Sequence, residues 1–242
     1  TGKLVLNADD PLLWEAGRQL RYPVIWYGTH PKANIRASEV LLHRWGTSCR
    51  INDRYDLQLP IGGRHNLHNG LAALACAQLL GENLPEVLER FWDVPKLPGR
   101  LQMRWLGETV FVDDTYNANP DSLKAALDFL HSLPCEGKKV LVMGDMLELG
   151  KQAQALHEQA GRWAVELGVS RLLAVGPLAK QLLASAWEAG LPFQSGQSFD
   201  SAQEAGQALF EQLSPKDIVL LKGSRSMQME KIFECFITSS TR

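Results

Sequence analysis

No Gly-x-x-x-x-Gly-Lys-Ser/Thr run occurs anywhere in the 242 residues, so the sequence carries no complete phosphate-binding P-loop. Gly-x-Gly-x-x-Gly and Gly-x-Ser-x-Gly are missing too, which removes the dinucleotide fingerprint and the serine-hydrolase elbow. Cys49, Cys76, Cys135 and Cys235 are far apart, with no Cys-x-x-Cys pair and no Cys/His cluster to hold zinc. Reduced thiols in a cytoplasmic protein are the expectation. The longest apolar stretch, near Leu71 to Leu80, is interrupted by Gln78 and is too short to span a bilayer. The N-terminus lacks a charged-then-apolar signal pattern, so membrane insertion and secretion are not expected. Charge of one sign is equally scarce: a formal net charge of -2 and no Lys/Arg block argue against a nucleic-acid surface and favour small charged ligands.

What is present is an apolar share of 45%, enough for one large core or two ordinary ones. Lys3 to Asn7 reads as a strand. Asp9 or Asp10 then caps a helix with Pro11 at its first turn, and Tyr22 to Tyr27 returns as a strand. Asn34 to Leu42, Thr47 to Ile51 and Tyr55 to Leu59 resemble a small antiparallel sheet. Ala- and Leu-rich sequence predicts a helix over Asn66 to Leu80, with a second from Pro85 to Trp92. The run from Asp93 to Arg100 carries two prolines and a glycine, a composition that suits a hinge, and places a boundary near residue 98.

Beyond that boundary strands and helices alternate: Leu101 to Leu106, Thr109 to Val112, helix Ser122 to Leu130, Lys139 to Met143, helix Ala153 to Leu167, Arg171 to Val175, helix Leu178 to Ala189. A weak strand near Phe193, helix Ser201 to Leu213, strand Asp217 to Leu221 and helix Ser226 to Ile237 complete the series, with Thr238 to Arg242 a frayed end. Such alternation predicts an α/β fold with a doubly wound, largely parallel sheet.

Polar crests follow three of these strands, where open α/β sheets bind ligands. Asp113-Asp114-Thr115-Tyr116-Asn117-Ala118-Asn119-Pro120 crowds acids and amides ahead of a helix. Asp114 suits ligand hydroxyls, and Tyr116, Asn117 and Asn119 present donors to a phosphorylated or peptidic group. Turn chemistry with Pro120 in the first helical turn is the other reading. Gly144-Asp145-Met146-Leu147-Glu148-Leu149-Gly150 offers close backbone approach and a carboxylate for an ammonium or a magnesium-bound water, or simply a capped turn. Lys222-Gly223-Ser224-Arg225-Ser226 combines two cations with free N–H groups, an anion site or an ordinary solvated loop. Gly63-Arg64-His65-Asn66-Leu67-His68-Asn69 opens the long helix and sets Asn66 and Asn69 on one face. Paired amides match a purine edge; Asn66 as a helix cap with His65 and His68 as surface or packing residues, or a His-x-x-His metal pair, are the alternatives.

Together with Asn7-Ala8-Asp9-Asp10 and Pro98-Gly99-Arg100, these runs resemble the Mur ligases, ATP-dependent enzymes that add amino acids to the peptidoglycan precursor. The Tyr-Asn-Ala-Asn-Pro, Gly-Asp-Met-x-Glu-Leu-Gly and Lys-Gly-Ser-Arg runs are similar to the branch that joins D-alanyl-D-alanine to UDP-N-acetylmuramoyl-tripeptide. The resemblance implies the last part of a central ATP-binding domain over residues 1–97 and a C-terminal, Rossmann-like domain over 98–242. It implies Asn66 and Asn69 at adenine, Asp114 at ribose and Arg100 at the ATP phosphates, with nucleotide favouring closure about the hinge. Tyr116, Asn117, Asn119, Asp145, Lys222, Ser224 and Arg225 would line the dipeptide site or the closing interface.

The cofactors implied are ATP and Mg2+. The family's P-loop, magnesium-binding acids and carbamylated lysine would lie before Thr1. Thr1 stands where an initiator Met would, so a piece of a longer protein is the expectation; without the P-loop it is expected to be inactive alone, and a monomer is expected. A stand-alone nucleotide-binding or regulatory module, or a Mur-type ligase with another amino-acid substrate, are the competing readings.

Overall fold

Strands Leu4–Asn7 (β1) and Val24–Gly28 (β2) pair in parallel through helix Pro11–Arg18 (α1). Asp10, not Asp9, caps α1: its carboxylate accepts the Leu12 and Leu13 N–H groups at 2.9 and 3.0 Å. The computed structural model describes residues 2–43, 45–93, 95 and 97–239, and divides into two units, Thr1–Lys96 and Leu97–Arg242.

In the first unit Ile35–His43 (β3), Gly46–Ile51 (β4) and Tyr55–Leu59 (β5) are antiparallel neighbours. They are the small antiparallel sheet read from the sequence, and it continues into the parallel pair β1-β2. The first two residues of β3 pair in parallel with β2, Tyr27 opposite Ile35 and Gly28 opposite Arg36, giving one mixed sheet ordered β1-β2-β3-β4-β5. A register shift between Ser38 and Leu41, with Glu39 at φ 52°, bends β3 so that its two ends serve different partners. Helix Arg64–Leu80 (α2) buries Leu67, Leu71, Leu74 and Ala75 against Ile35, Ile51, Leu57 and Leu59. Helix Leu84–Arg90 (α3) and a 3-10 turn at Phe91–Asp93 follow. Val94 and Lys96 of the expected hinge lie outside the described residues.

The second unit holds Gln102–Leu106 (β6), Thr109–Asp114 (β7), Lys139–Gly144 (β8), Arg171–Val175 (β9), Gly196–Phe199 (β10) and Ile218–Lys222 (β11). Their order is β10-β9-β8-β11-β7-β6, parallel except for the β6 edge. Helices Pro120–Ser132 (α4), Ala153–Glu166 (α5) and Pro177–Glu188 (α6) cover one face. Ala202–Gln212 (α7) and Ile232–Ser239 (α8) cover the other. The inner strands are therefore apolar on both sides: Leu141 and Met143 of β8 face one layer, Val140 and Val142 the other.

Two elements depart from the sequence reading. Phe193, expected in a strand, starts a 3-10 turn and packs against Trp187 with ring centroids 4.8 Å apart, so β10 begins at Gly196. The expected helix from Ser226 to Ile237 is broken into two 3-10 turns, Arg225–Met227 and Met229–Lys231, before α8. Gln228 takes the left-handed conformation, φ 49°, which lets Met229 bury itself beneath Gly144 and Gly223. Of the expected frayed end, Thr238 and Ser239 close α8, and residues 240–242 lie outside the described residues. No helix among the described residues is long and apolar enough to cross a membrane.

Helices α5 and α6 meet at Gly161, where an added Cβ would stand 2.1 Å from the Leu182 carbonyl and from the Ser185 hydroxyl. Gly161→Ala gains helix propensity of about 1 kcal/mol. Overpacking of about 1–3 kcal/mol opposes it, and because the nearest atom is backbone the overpacking should win. Urea unfolding should show net destabilisation; a variant more stable than the parent would show that the two helices are not so closely packed.

Candidate functional site

β11 lies between β7 and β8 but its chain departs to the opposite face. β7 and β8 lead into α4 and α5 on one layer, whereas β11 leads through the 3-10 turns into α8 on the other. Adjacent strands that diverge in this way open a crevice at their carboxyl ends, the usual ligand position in an open α/β sheet. The register brings Asp114, Met143 and Lys222 level, so all three polar crests of this unit meet there.

Lys222, only 2% exposed, donates to Asp114 Oδ2 at 2.5 Å and to the Asn117 carbonyl at 3.0 Å. Asp114 Oδ1 accepts the Leu101 N–H at 3.1 Å. Asp113 turns the other way, to Arg104 at 2.8 Å and the Thr115 hydroxyl at 2.7 Å. Gly99, at φ 69°, accepts the Tyr116 N–H at 2.9 Å, and the adjacent Arg100 guanidinium lies 4.2 Å from the exposed Tyr116 ring centroid. The Asn117 amide oxygen accepts the Ala118 N–H at 2.9 Å. Asn119 and Ser122 form a reciprocal capping box at the start of α4, with Pro120 in the first turn. For Asn119, then, the turn reading describes what its side chain does.

The β8 and β11 loops are bonded to each other. Ser224 N–H donates to the Asp145 carbonyl at 2.9 Å, and the Ser224 hydroxyl accepts the Leu147 N–H at 2.8 Å. His157, fully buried in α5, accepts the Met146 N–H on Nε2 at 2.9 Å, so Nδ1 carries the hydrogen donated to the Ala153 carbonyl at 2.6 Å. The Asp145 carboxylate, 3% exposed, accepts the Ala179 N–H at 2.7 Å and is turned onto the first turn of α6. The resemblance put Asp145 and Lys222 at the dipeptide site or the closing interface; in the structure both side chains are buried and bonded within the second unit. Arg225 stays exposed and pairs with Glu230 at 3.0 Å.

In the first unit the amino end of α2 presents Asn69 to solvent, while Asn66 Nδ2 bonds the Gly62 carbonyl at 2.8 Å and leaves Oδ1 as an acceptor. His68, read from sequence as a packing residue or half of a metal pair, donates from Nε2 to Asp9 Oδ2 at 2.9 Å. Asp9 also collects the Thr29 N–H at 2.7 Å, the Thr29 hydroxyl at 3.1 Å and the His30 N–H at 2.8 Å. Nothing local in the sequence marks this pairing across 59 residues. Among the described residues no group of three or more His, Cys, Asp or Glu could hold a metal ion.

Both units match models of a single protein family. Residues 1–77 match the Mur ligase middle domain and residues 99–225 the Mur ligase glutamate ligase domain; the chain belongs to the Mur ligase family. It is 32% identical, over 99% of its length, to the UDP-N-acetylmuramoyl-tripeptide--D-alanyl-D-alanine ligase of Escherichia coli (strain K12). It is 30% identical, over 98% of its length, to the enzyme of the same name from Bacillus subtilis (strain 168). The chain spans about half the length of these curated relatives, 53% and 52%. A crystal structure of MurF from Acinetobacter baumannii superposes with a TM-score of 0.84 at 28% identity, covering 98% of this chain and 52% of that one. MurC of Thermotoga maritima, at 19% identity and a TM-score of 0.74, shares the fold.

Asp9 and Asp145 are built alike and shifted oppositely. For Asp9, burial pushes the carboxyl up, but the Thr29, His68 and His30 hydrogen bonds outweigh it and hold it below 3.8. For Asp145 burial wins over the Ala179 and Leu178 N–H bonds and raises it above 3.8. Asp9 thus contributes stability that is present above its unfolded value and lost as pH falls through the folded one. With Asp145 the native state binds more protons, so stability declines as pH rises through its folded value. In urea unfolding across a pH series spanning 3.8, Asp9→Asn should remove stability mainly on the high-pH side. Asp145→Asn should flatten a decline there; equal slopes for both variants would contradict these assignments.

Proposed function

We propose that this chain belongs to an ATP-dependent ligase that joins D-alanyl-D-alanine to UDP-N-acetylmuramoyl-tripeptide, and supplies the adenine, ribose and phosphate contacts and the dipeptide side of its site. The observation that carries the reading is the run of relatives bearing that name, aligned over 99% of the chain in the first case. ATP supplies the activation: a peptide carboxylate becomes a competent electrophile, an acyl phosphate, for the dipeptide amine.

Each unit by itself presents groups that suit part of a nucleotide. Asn69 offers an exposed amide and Asn66 a remaining amide oxygen, a donor and acceptor set suited to a purine edge. Asp114 uses its two oxygens for one bond each, and a carboxylate has about four acceptor sites, so ribose hydroxyls still find lone pairs. Arg100, held over Tyr116, presents a guanidinium of fixed orientation to an anionic group. Exposed Arg225 offers a guanidinium to a dipeptide carboxylate. None of these groups is assigned to Mg2+. This chain alone is expected to form no amide bond, since its sequence holds no P-loop to orient the triphosphate.

In the complete enzyme, phosphate release should require both UDP-N-acetylmuramoyl-tripeptide and D-alanyl-D-alanine. Arg100→Ala should raise the ATP KM about 10–100-fold, the scale of a lost hydrogen bond to a charged group. Release driven by a single amino acid in place of the dipeptide would assign the chain to a different ligase. Release by the 242-residue chain alone would overturn the expected inactivity.

A further inference from the structure

Lys222 is the one lysine among the described residues buried to 2%, and its bonds stay within the chain: Asp114 Oδ2 at 2.5 Å and the Asn117 carbonyl at 3.0 Å. A solvated lysine keeps three donors for a ligand; this one has committed two to fixing the end of β7. The constraint passes onward. Asp114 Oδ1 receives the Leu101 N–H at 3.1 Å, and two residues earlier the Gly99 carbonyl receives the Tyr116 N–H at 2.9 Å. Those two bonds bracket Arg100 and hold its guanidinium over the Tyr116 ring. Leu101 itself sits at φ 48°, a conformation that a leucine keeps only where surrounding bonds enforce it.

We infer that Lys222 is a positioning residue for the nucleotide, not a contact for the incoming dipeptide. Its ammonium aims the Asp114 carboxylate and, through Leu101 N–H, sets Arg100. This rests on the nucleotide reading of Asp114 and Arg100 given above. It differs from the substrate-lining role that the Lys-Gly-Ser-Arg loop suggests for this side chain, because a group so enclosed and so paired is withheld from a ligand.

The first measurement needs no substrate. In the 242-residue chain, Lys222→Met keeps the aliphatic stem and removes the charge. Amide hydrogen exchange at Leu101 and Tyr116 should accelerate about tenfold or more, as bonds of local rather than global protection do. Unchanged exchange at both amides would break the relay. In the complete enzyme the same variant should raise the ATP KM at least tenfold while the D-alanyl-D-alanine KM changes less than threefold.

A rise confined to the dipeptide KM would make Lys222 a substrate contact. A fall in thermal stability with neither KM altered would make it a structural tie only. If Lys222→Met does not fold, Lys222→Met/Asp114→Asn is compared with Asp114→Asn. Equal ATP KM values support a role exerted through Asp114, and a further rise refutes it. Arg100→Ala in the same assay separates the two ideas: an unchanged ATP KM there removes the nucleotide reading itself, whatever Lys222 does.

Discussion

The insertion of β11 between β7 and β8 is the constraint on which the C-terminal unit depends. A parallel strand in that position must be apolar on both faces, and Ile218 to Leu221 meet that demand with Ile218 and Leu220 on one side and Val219 and Leu221 on the other. The demand ends one residue later. At Lys222 the chain leaves for the opposite layer from its neighbours, the arrangement at whose carboxyl edge open α/β sheets take ligands. A polar residue in that place must be bonded by its neighbours, and Asp114 and the Asn117 carbonyl do this for Lys222. Gly144 and Gly223 complete the arrangement: a Cβ on either would strike Met229, at 2.8 and 2.7 Å, so the two loops approach only because those side chains are absent.

The two units use the same device at different depths. In each, a carboxylate just beyond one parallel strand reaches across to backbone N–H groups just beyond the next: Asp9 to Thr29 and His30, Asp145 to Leu178 and Ala179. In each, the facing residue is a glycine at positive φ, Gly28 at 147° and Gly176 at 101°, whose missing Cβ would stand 2.8 Å from the carboxylate. The outcome differs because Asp9 adds a hydroxyl and an imidazole to its donors and is less enclosed. Geometry alone therefore does not determine the direction of a shift; the balance of desolvation against hydrogen bonding does.

What could be read from sequence follows the same physics. The strands of the second unit were legible because both of their faces are buried, which leaves uninterrupted apolar runs ended by polar crests. The break at Gln228 was not, since an amphipathic pattern runs on through Met229 and Ile232 and only the depth of Met229 reveals that the helix cannot start sooner. Nor was the joining of β3 to β2, which rests on two residue pairs and a bend at Glu39. At the site, spacing located Asp114, Asp145 and Lys222 at strand ends but could not show which way each side chain turned. The Asp9–His68 bond, linking the loop after β1 to α2, has no local signature at all.

The run from Asp113 to Pro120 shows why such a crest resists a single label. Asp113 and Asn119 serve the fold, the first by pairing with Arg104, the second by capping α4. Tyr116 is half exposed and carries Arg100 on its face. Asp114, between them, does both: its carboxylate is oriented by Lys222 and Leu101 yet keeps acceptor capacity toward solvent, with 14% of its side chain exposed. In the proposed nucleotide site, a carboxylate held this way loses little conformational entropy on binding, because the folding of the sheet has already ordered it. The structural reading of the crest and its proposed ligand-facing role are thus compatible: the bonds that make the turn also aim the carboxylate that keeps acceptor capacity toward solvent.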